Sequence, residues 1–332
     1  MDRDYRLDFL RIVLMIGVLC IHTFCVLDLG TYPLYRTWSL ILNTICHYAV
    51  PLFVMLSGIV LIDRCDEPLT LFYRKRLVRI LIPLGPATLF FIALRILRDG
   101  ESSLDVLKEA FLGHPYYHLW FAFMLLGVYA FMPFLVRLVR EIHNGILAFV
   151  CVLLICVARY VGEGPYQILP YCAYATLGMI LAKRSQACRR PIAGWCALAV
   201  AVGLTVWNAS IVLMTGSFGT IGYCSPFVLF GSIALLMFVL NCVSPYFGGG
   251  IATHLAALVF GVYLWHPFFK GVSMAVVSRL ASSQMWLVFP IATVMSFACI
   301  WLISRLRIGA ILIGSERLRA NAQKRQEDND AR

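Results

Sequence analysis

The sequence predicts an all-α protein that crosses a membrane many times. Of its 332 residues, 61% are hydrophobic and only 14% are charged, whereas soluble domains carry about 25% charged residues. The mean hydropathy is +0.83. The apolar residues form long continuous runs and do not alternate with polar residues, as they would in a barrel strand. Such runs span lipid as helices, because a helix satisfies its own backbone hydrogen bonds.

Ten runs are long enough to be transmembrane helices, which need about 20 apolar residues. The fifth and sixth are the shortest. The predicted spans are 8–28, 38–62, 77–97, 118–138, 145–161, 167–183, 192–214, 225–242, 253–272 and 284–304.

The lysines and arginines predict the orientation of these helices. With ten spans, 21 of the 28 basic residues fall on one side, and the positive-inside rule makes that side cytoplasmic. Both termini and the 63–76 loop are then cytoplasmic, and the 98–117 loop is outside with room for a short surface helix. We therefore expect a multi-pass protein of the inner, cytoplasmic membrane. The net charge of +11 reflects this topology and not nucleic-acid binding.

Composition predicts one large domain and a tail. Residues 1–315 form the membrane domain, and the polar residues 316–332 form a cytoplasmic tail that we expect to be disordered. The first apolar run carries no small-residue cleavage site, so we expect a retained helix and not a signal peptide. The twelve cysteines are scattered without ligand spacing, which predicts packing roles and no metal site.

The first span carries Arg11 and His22, eleven residues apart. At about 100° per residue this spacing returns to nearly the same helix face, and at about 1.5 Å per residue it separates the two side chains by roughly 16 Å. Ionisable residues inside a membrane are candidates for function. The alternatives are an interfacial anchor for Arg11 and a polar packing role for His22.

A basic run opens the third span. Arg74, Lys75, Arg76 and Arg79 lie where the cytoplasm meets that helix, and Arg76 and Arg79 share a face. Guanidinium groups bind phosphate bidentately, so the run predicts a phosphate-rich ligand. Topology alone explains a basic loop, but it explains less well why Arg79 enters the apolar segment.

Two aromatic segments lie at the predicted outer face. The segment PYYHLWFAF contains Tyr117, His118 and Trp120, and FGVYLWHPFF places His266 at the outer end of the ninth span. Aromatic faces beside polar groups suit sugar rings. The alternative is an interfacial aromatic belt. Ser57 and Gly58 favour close helix packing over nucleophilic catalysis.

Five ordered segments together resemble acyltransferase family 3, the integral membrane O-acyltransferases. They are LDFLR followed by ten residues and His22, VPLFVMLSG at 50–58, FYRKRLVRILIP at 72–83, YHLWF at 117–121 and GVYLWHP at 261–267. The short length and YHLWF are similar to the ten-helix subgroup that includes the enterobacterial common antigen O-acetyltransferase.

The resemblance implies transfer of an acyl group, usually acetyl from acetyl-CoA, to a hydroxyl of a cell-surface or lipid-linked glycan on the outer face. It makes Arg11 and His22 the catalytic pair and assigns donor binding to Arg76 and Arg79, with Arg74 beside them. Acceptor binding falls to Tyr117, His118, Trp120 and His266. The rival prediction is a transporter or flippase of a glycolipid or anion. Against it, every Asp and Glu maps to a loop or to the end of a span, where it cannot couple protons inside the membrane, and the sequence shows no repeats.

Overall fold

A computed structural model describes residues 3–24, 33–161, 168–216, 220–280, 282–306, 309–310 and 313–314. Throughout these ranges the ordered elements are helices, and they contain no strand. The protein is an all-α polytopic membrane protein, as the sequence predicts. The predicted tail 316–332 and the last four residues of the first predicted span lie outside the described residues.

Eight helices make up the N-terminal part of the chain. They are α1 (Tyr5–Phe24), α2 (Pro33–Cys46), α3 (Ala49–Leu61), α4 (Leu69–Leu97), α5 (Ser103–Phe111), α6 (Trp120–Glu141), α7 (Asn144–Val161) and α8 (Ile168–Ala187). Helix α5 is the short helix expected within the 98–117 loop.

Five helices make up the C-terminal part. They are α9 (Pro191–Thr215), α10 (Pro226–Cys242), α11 (Gly249–Ala256), α12 (Val259–Leu280) and α13 (Val288–Arg305), with a 3₁₀ segment at Ser282–Leu287. Proline stands at the start of α9 and α10, where its missing N–H breaks no helical hydrogen bond.

Each of the ten predicted spans overlaps a helix. Among the described residues, seven helices are long and apolar enough to cross a membrane, or eight if α11 and α12 count as one span. Helix α10 is apolar but shorter than these candidates, and α8 is not among the helices that meet the length and hydropathy requirements. Helix α8 is buried along almost its whole length, so its surface meets protein and can be less apolar. The count of ten crossings remains a prediction.

Two predicted boundaries are wrong in ways that affect the site. Helix α4 starts at Leu69 and not at 77, so the basic run belongs to the helix. The span predicted at 253–272 is a bent pair, because α11 and α12 meet at 57°. Helix α12 then continues to Leu280 through Pro267. His266 therefore lies inside a helix and not at its outer end.

Contacts divide the described chain into two compact units. One contains residues from 1–15, 77–122 and 248–332, and the other contains residues from 16–76 and 123–247. Helices α1, α4 and α6 contribute residues to both.

In the second unit, α3 and α8 pack closely through two glycines. A methyl group added to Gly58 would collide with the backbone carbonyl of Ala175, and one added to Gly178 would collide with that of Met55. Small residues let helix backbones approach in this way. The expected packing role of Gly58 is confirmed.

In the first unit, α12 packs against α13. A methyl group at Gly261 would come within 2.9 Å of side-chain atoms of both Ile300 and Ile313. This close fit places the buried face of α12, which carries Tyr263, His266 and Lys270, inside the unit.

Candidate functional site

Arg11 and His22 lie on one unbroken helix. Helix α1 runs from Tyr5 to Phe24, so the shared helix predicted from the sequence is confirmed. His22 is half-buried in its last turn, between the buried residues Ile21 and Thr23. An arginine and a histidine therefore lie on the same apolar helix, roughly 16 Å apart along its axis.

Asp8 holds the arginines at the start of α1. Its carboxylate accepts hydrogen bonds from Arg11 at 2.9 Å and from Arg3 at 2.8 Å, and the Thr253 hydroxyl lies 3.4 Å from it. Asp8 is buried, so one carboxylate fixes two guanidinium groups. The sequence reasoning gave Asp8 no role, although an acid three residues before an arginine on a helix signals an ion pair.

The basic run forms the first turns of α4. Arg74 and Arg79 are exposed and Arg76 is half-buried. Because all three belong to the helix, their backbone positions are fixed relative to one another. A helical array of guanidinium groups can bind several phosphate oxygens at once.

Glu67 forms ion pairs with two residues of this basic run. Its carboxylate accepts hydrogen bonds from Arg76 and Lys75, each at 3.0 Å, and these bonds hold the pKa of Glu67 below its usual value. The Arg76 guanidinium also lies 4.7 Å from the centre of the Phe72 ring. Arg76 is therefore oriented by an oxyanion and an aromatic face, and an incoming phosphate would compete with Glu67.

His118 and His266 are interior residues, each 1% exposed. Their rings are 5.0 Å apart between centroids. His118 Nε2 donates to the Leu264 carbonyl at 3.1 Å, and His266 Nδ1 donates to the Tyr263 carbonyl at 2.8 Å. Neither is therefore an exposed interfacial side chain: His118 packs against α12, and His266 lies on the buried face of that helix.

Tyr263 joins these segments. Its hydroxyl donates to the backbone carbonyl of His118 at 2.7 Å and accepts from the backbone N–H of Ala122 at 3.2 Å. The Ala122 N–H also donates to the Leu119 carbonyl at 3.0 Å, so Tyr263 adds a second acceptor at the start of α6. The YHLWF and GVYLWHP segments are thus brought together by a buried hydrogen-bond bridge.

Lys270 is a second charged residue that the sequence reasoning missed. It is buried, one helical turn after His266, and its ammonium donates to the Tyr117 hydroxyl at 3.0 Å. Tyr117 is partly exposed, and Trp120 is half-buried. Lys270 was detectable as the only lysine inside a predicted span and away from its last residue, at the helix spacing i, i+4 from His266.

Long apolar helices that carry a buried carboxylate paired with arginine, together with buried histidines, define a polytopic membrane protein with polar groups inside its helical domain. The model of the acyltransferase domain of acyltransferase family 3 matches residues 4–305, which is most of the chain. The chain belongs to this family of membrane acyltransferases. Comparison with curated proteins and with solved structures gives no significant match.

Proposed function

We propose that the protein transfers an acyl group, acetyl in the simplest case, from cytoplasmic acyl-CoA to a hydroxyl of a cell-surface or lipid-linked glycan at the outer face of the cytoplasmic membrane. Family membership supports acyl transfer. The observation that carries the proposal furthest is the unbroken helix α1, which holds Arg11 and His22 at the family's spacing. Within the family we assign it to the short ten-helix subgroup that includes the enterobacterial common antigen O-acetyltransferase.

The donor is bound through its phosphates. Coenzyme A carries several negative charges, and Arg74, Arg76 and Arg79 present guanidinium groups from the first turns of α4. Arg76 binds the Glu67 carboxylate at 3.0 Å, so its donors are already oriented towards an oxyanion. Bidentate guanidinium–phosphate pairs are stronger than single point-charge contacts. Arg11, held by Asp8, provides a further anion-binding group.

His22 is the proposed general base. Its neutral imidazole takes the proton of the acceptor hydroxyl while that oxygen attacks the thioester carbonyl. The C–S bond then breaks, and the imidazolium returns the proton to the departing CoA thiolate. General-base assistance of this kind contributes typically 10²–10⁴-fold to the rate. The alternative route passes through an acyl group on His22, which a nucleophilic imidazole permits.

Tyr117, Trp120, His118 and His266 are assigned to the acceptor side. Tyr117 and Trp120 offer aromatic surface to a sugar ring. His118 and His266 are buried, so we propose that they act from within by fixing the segments that carry these aromatics. Their hydrogen bonds to the Leu264 and Tyr263 carbonyls support that role.

Purified protein in lipid nanodiscs, supplied with radiolabelled acetyl-CoA and a glycan acceptor, tests the proposal. We expect label to appear on the glycan and CoA to be released in equal amount. His22→Gln keeps hydrogen bonding but cannot take up the proton at neutral pH, so it should lose at least 100-fold in rate. Its matched control is His143→Gln, at an exposed histidine between α6 and α7.

The outcomes separate the two function classes. Glycolipid movement without thioester turnover would instead support the transporter. Full activity in His22→Gln, at a membrane level equal to that of His143→Gln, would remove His22 from the mechanism. Mass spectrometry of surface glycans from cells with and without the protein identifies the acyl group, because acetyl and succinyl additions differ in mass.

A further inference from the structure

A cavity of about 330 Å³ opens at one end of the first unit. It lies between the end of α4, helix α5 and the segment that precedes α6. The residues that line it combine two tyrosines with charged and polar groups, and they are Arg95, Glu101, Glu109, His114, Tyr116 and Tyr117. We refer to it as the Arg95 cavity. Of the residues assigned to the acceptor from the sequence, Tyr117 alone lines it.

Arg95 forms the charged base of the cavity. Its guanidinium donates to Glu101 at 2.5 Å, to Glu109 at 2.7 Å and to the Pro115 carbonyl at 3.3 Å. The Arg95 side chain is 12% exposed, whereas those of Glu101 and Glu109 are 40% and 53% exposed. The arginine is thus covered by its two partners, and the carboxylates form the accessible surface.

This arrangement selects against anions. The accessible charged groups are the carboxylates of Glu101 and Glu109, whereas Arg95 is covered by them and the Lys270 ammonium behind Tyr117 is buried. Nearby Arg98 is paired with Asp99. Burial lowers the pKa of His114, which disfavours a positive charge on that ring. Carboxylate oxygens have acceptor capacity beyond the bonds that Arg95 makes. They can therefore accept hydrogen bonds from the hydroxyl groups of a neutral ligand, and they repel a phosphate or a uronate.

Two tyrosines supply the apolar wall. The Tyr116 and Tyr117 ring centroids are 4.7 Å apart, and Tyr116 stacks on Phe91 at 4.5 Å. The Tyr117 hydroxyl accepts the hydrogen bond from Lys270. Both rings are fixed before a ligand arrives. An aromatic face carries negative charge density, so it attracts the slightly positive C–H groups of a pyranose ring.

The volume limits the ligand. Small-molecule pockets measure roughly 300–1,000 Å³, and this cavity is at the lower end of that range. It suits one or two sugar units of a longer chain that continues into solvent.

From the charge, the aromatic side chains and the volume of the Arg95 cavity, we propose that it binds an uncharged sugar unit of the acceptor glycan. The proposal rests on the proposed function for its biological meaning, but binding itself can be measured without turnover. Glu101 and Glu109 accept hydroxyl hydrogen bonds, and Tyr116 and Tyr117 pack against the ring.

Saturation-transfer NMR on the full chain in nanodiscs tests the cavity with three probes: methyl β-glucoside, methyl N-acetyl-β-glucosaminide and methyl β-glucuronide. We expect signal transfer to one or both neutral glycosides and at least tenfold weaker binding of the glucuronide. Glu109→Gln should weaken binding of the neutral glycosides at least fivefold. Tyr117→Ala, which removes one aromatic ring from the cavity and leaves the Arg95–Glu101 and Arg95–Glu109 pairs in place, should do the same.

Asp105→Asn is the matched control. Asp105 also lies on α5 and makes an exposed ion pair with Lys108 at 3.6 Å, so the substitution removes an equal charge away from the cavity. Three results would each overturn the inference: no binding of either neutral glycoside, equal binding of the glucuronide, or equal effects of Glu109→Gln and Asp105→Asn.

The experiments distinguish failure of the proposed acyl transfer from failure of the proposed sugar site. Glycoside binding with the expected charge preference supports the cavity even if acyl-CoA is never consumed, and that second result would count against acyl transfer alone. Acyl transfer to a glycan with wild-type acceptor KM in both Glu109→Gln and Tyr117→Ala would place the acceptor elsewhere and overturn the cavity.

Discussion

The close contact between α3 and α8 predicts that alanine in place of either contact glycine lowers the stability of the protein, whereas alanine at a glycine outside the contact raises it. Gly58 and Gly178 each face the backbone of the opposite helix. An added methyl group at Gly58 would come within 3.2 Å of the Ala175 Cα, and one at Gly178 within 2.7 Å of the Met55 Cα. Backbone atoms cannot rotate away as a side chain can, so Gly→Ala at either site must push the helices apart.

The magnitude follows from two opposing terms. Overpacking a tight core costs about 1–3 kcal/mol, and a backbone neighbour puts these sites at the upper end. Alanine returns up to about 1 kcal/mol of helix propensity. We therefore expect Gly58→Ala and Gly178→Ala each to destabilise by about 2 kcal/mol. At roughly 2 °C per kcal/mol for a large chain, the Tm falls by about 4 °C.

Gly203 provides the matched control. It lies inside α9, and an added methyl group there meets nothing within 4 Å. Only the propensity term remains, so Gly203→Ala should raise the Tm by about 1–2 °C. Thermal unfolding of the three variants in the same nanodiscs, followed by helical circular dichroism, measures all of these shifts.

The double variant sharpens the test. Once one methyl group has separated α3 from α8, the second meets a wider gap. The combined loss in Gly58→Ala/Gly178→Ala should therefore be smaller than the sum of the single losses, as coupled neighbours show. Equal Tm values for Gly58→Ala and Gly203→Ala would refute the close backbone contact.

Three further predictions concern the donor side, the anchor of α1 and the topology. Arg76→Ala and Arg79→Ala should each weaken CoA binding as measured by calorimetry. Lysine at either position should restore affinity only in part, because an ammonium cannot bind phosphate bidentately. Unchanged CoA affinity in both alanine variants would exclude these residues from the donor site. Asp8→Asn should slow acyl transfer about tenfold, since losing a charge-assisted hydrogen bond of about 1.5–3 kcal/mol releases Arg11, and an unaltered rate would count against this anchor. In a variant whose single cysteine is the exposed Cys188, a membrane-impermeant maleimide should label broken cells and not intact ones, and labelling of intact cells would reverse the orientation.

Helices and their order could be read from the sequence because they depend on local properties. A run of about 20 apolar residues becomes a helix in lipid whatever surrounds it. The placement of Arg11 and His22 on one helix follows from the same local rule, and α1 confirms it. Even the helix at Ser103–Phe111 was expected from a polar loop of sufficient length.

Burial could not be read in the same way. In a soluble helix the apolar stripe marks the face that packs, but a membrane helix is apolar on both its lipid-facing and its protein-facing sides. Trp207 and Val294, for example, are 62% and 68% exposed although both are apolar. The sequence therefore left His118 and His266 at the interface, whereas both are interior residues.

The sequence by itself determined the class of protein, the order of its helices and the presence of Arg11 and His22 on one of them, because each depends on residues close together in the chain. Tertiary structure alone decided the partners of the polar groups: His118 with Leu264, Lys270 with Tyr117, and Asp8 with Thr253. These partners are far apart in the chain and meet only when the helices pack. A buried polar group must find such a partner, but nothing local specifies which one.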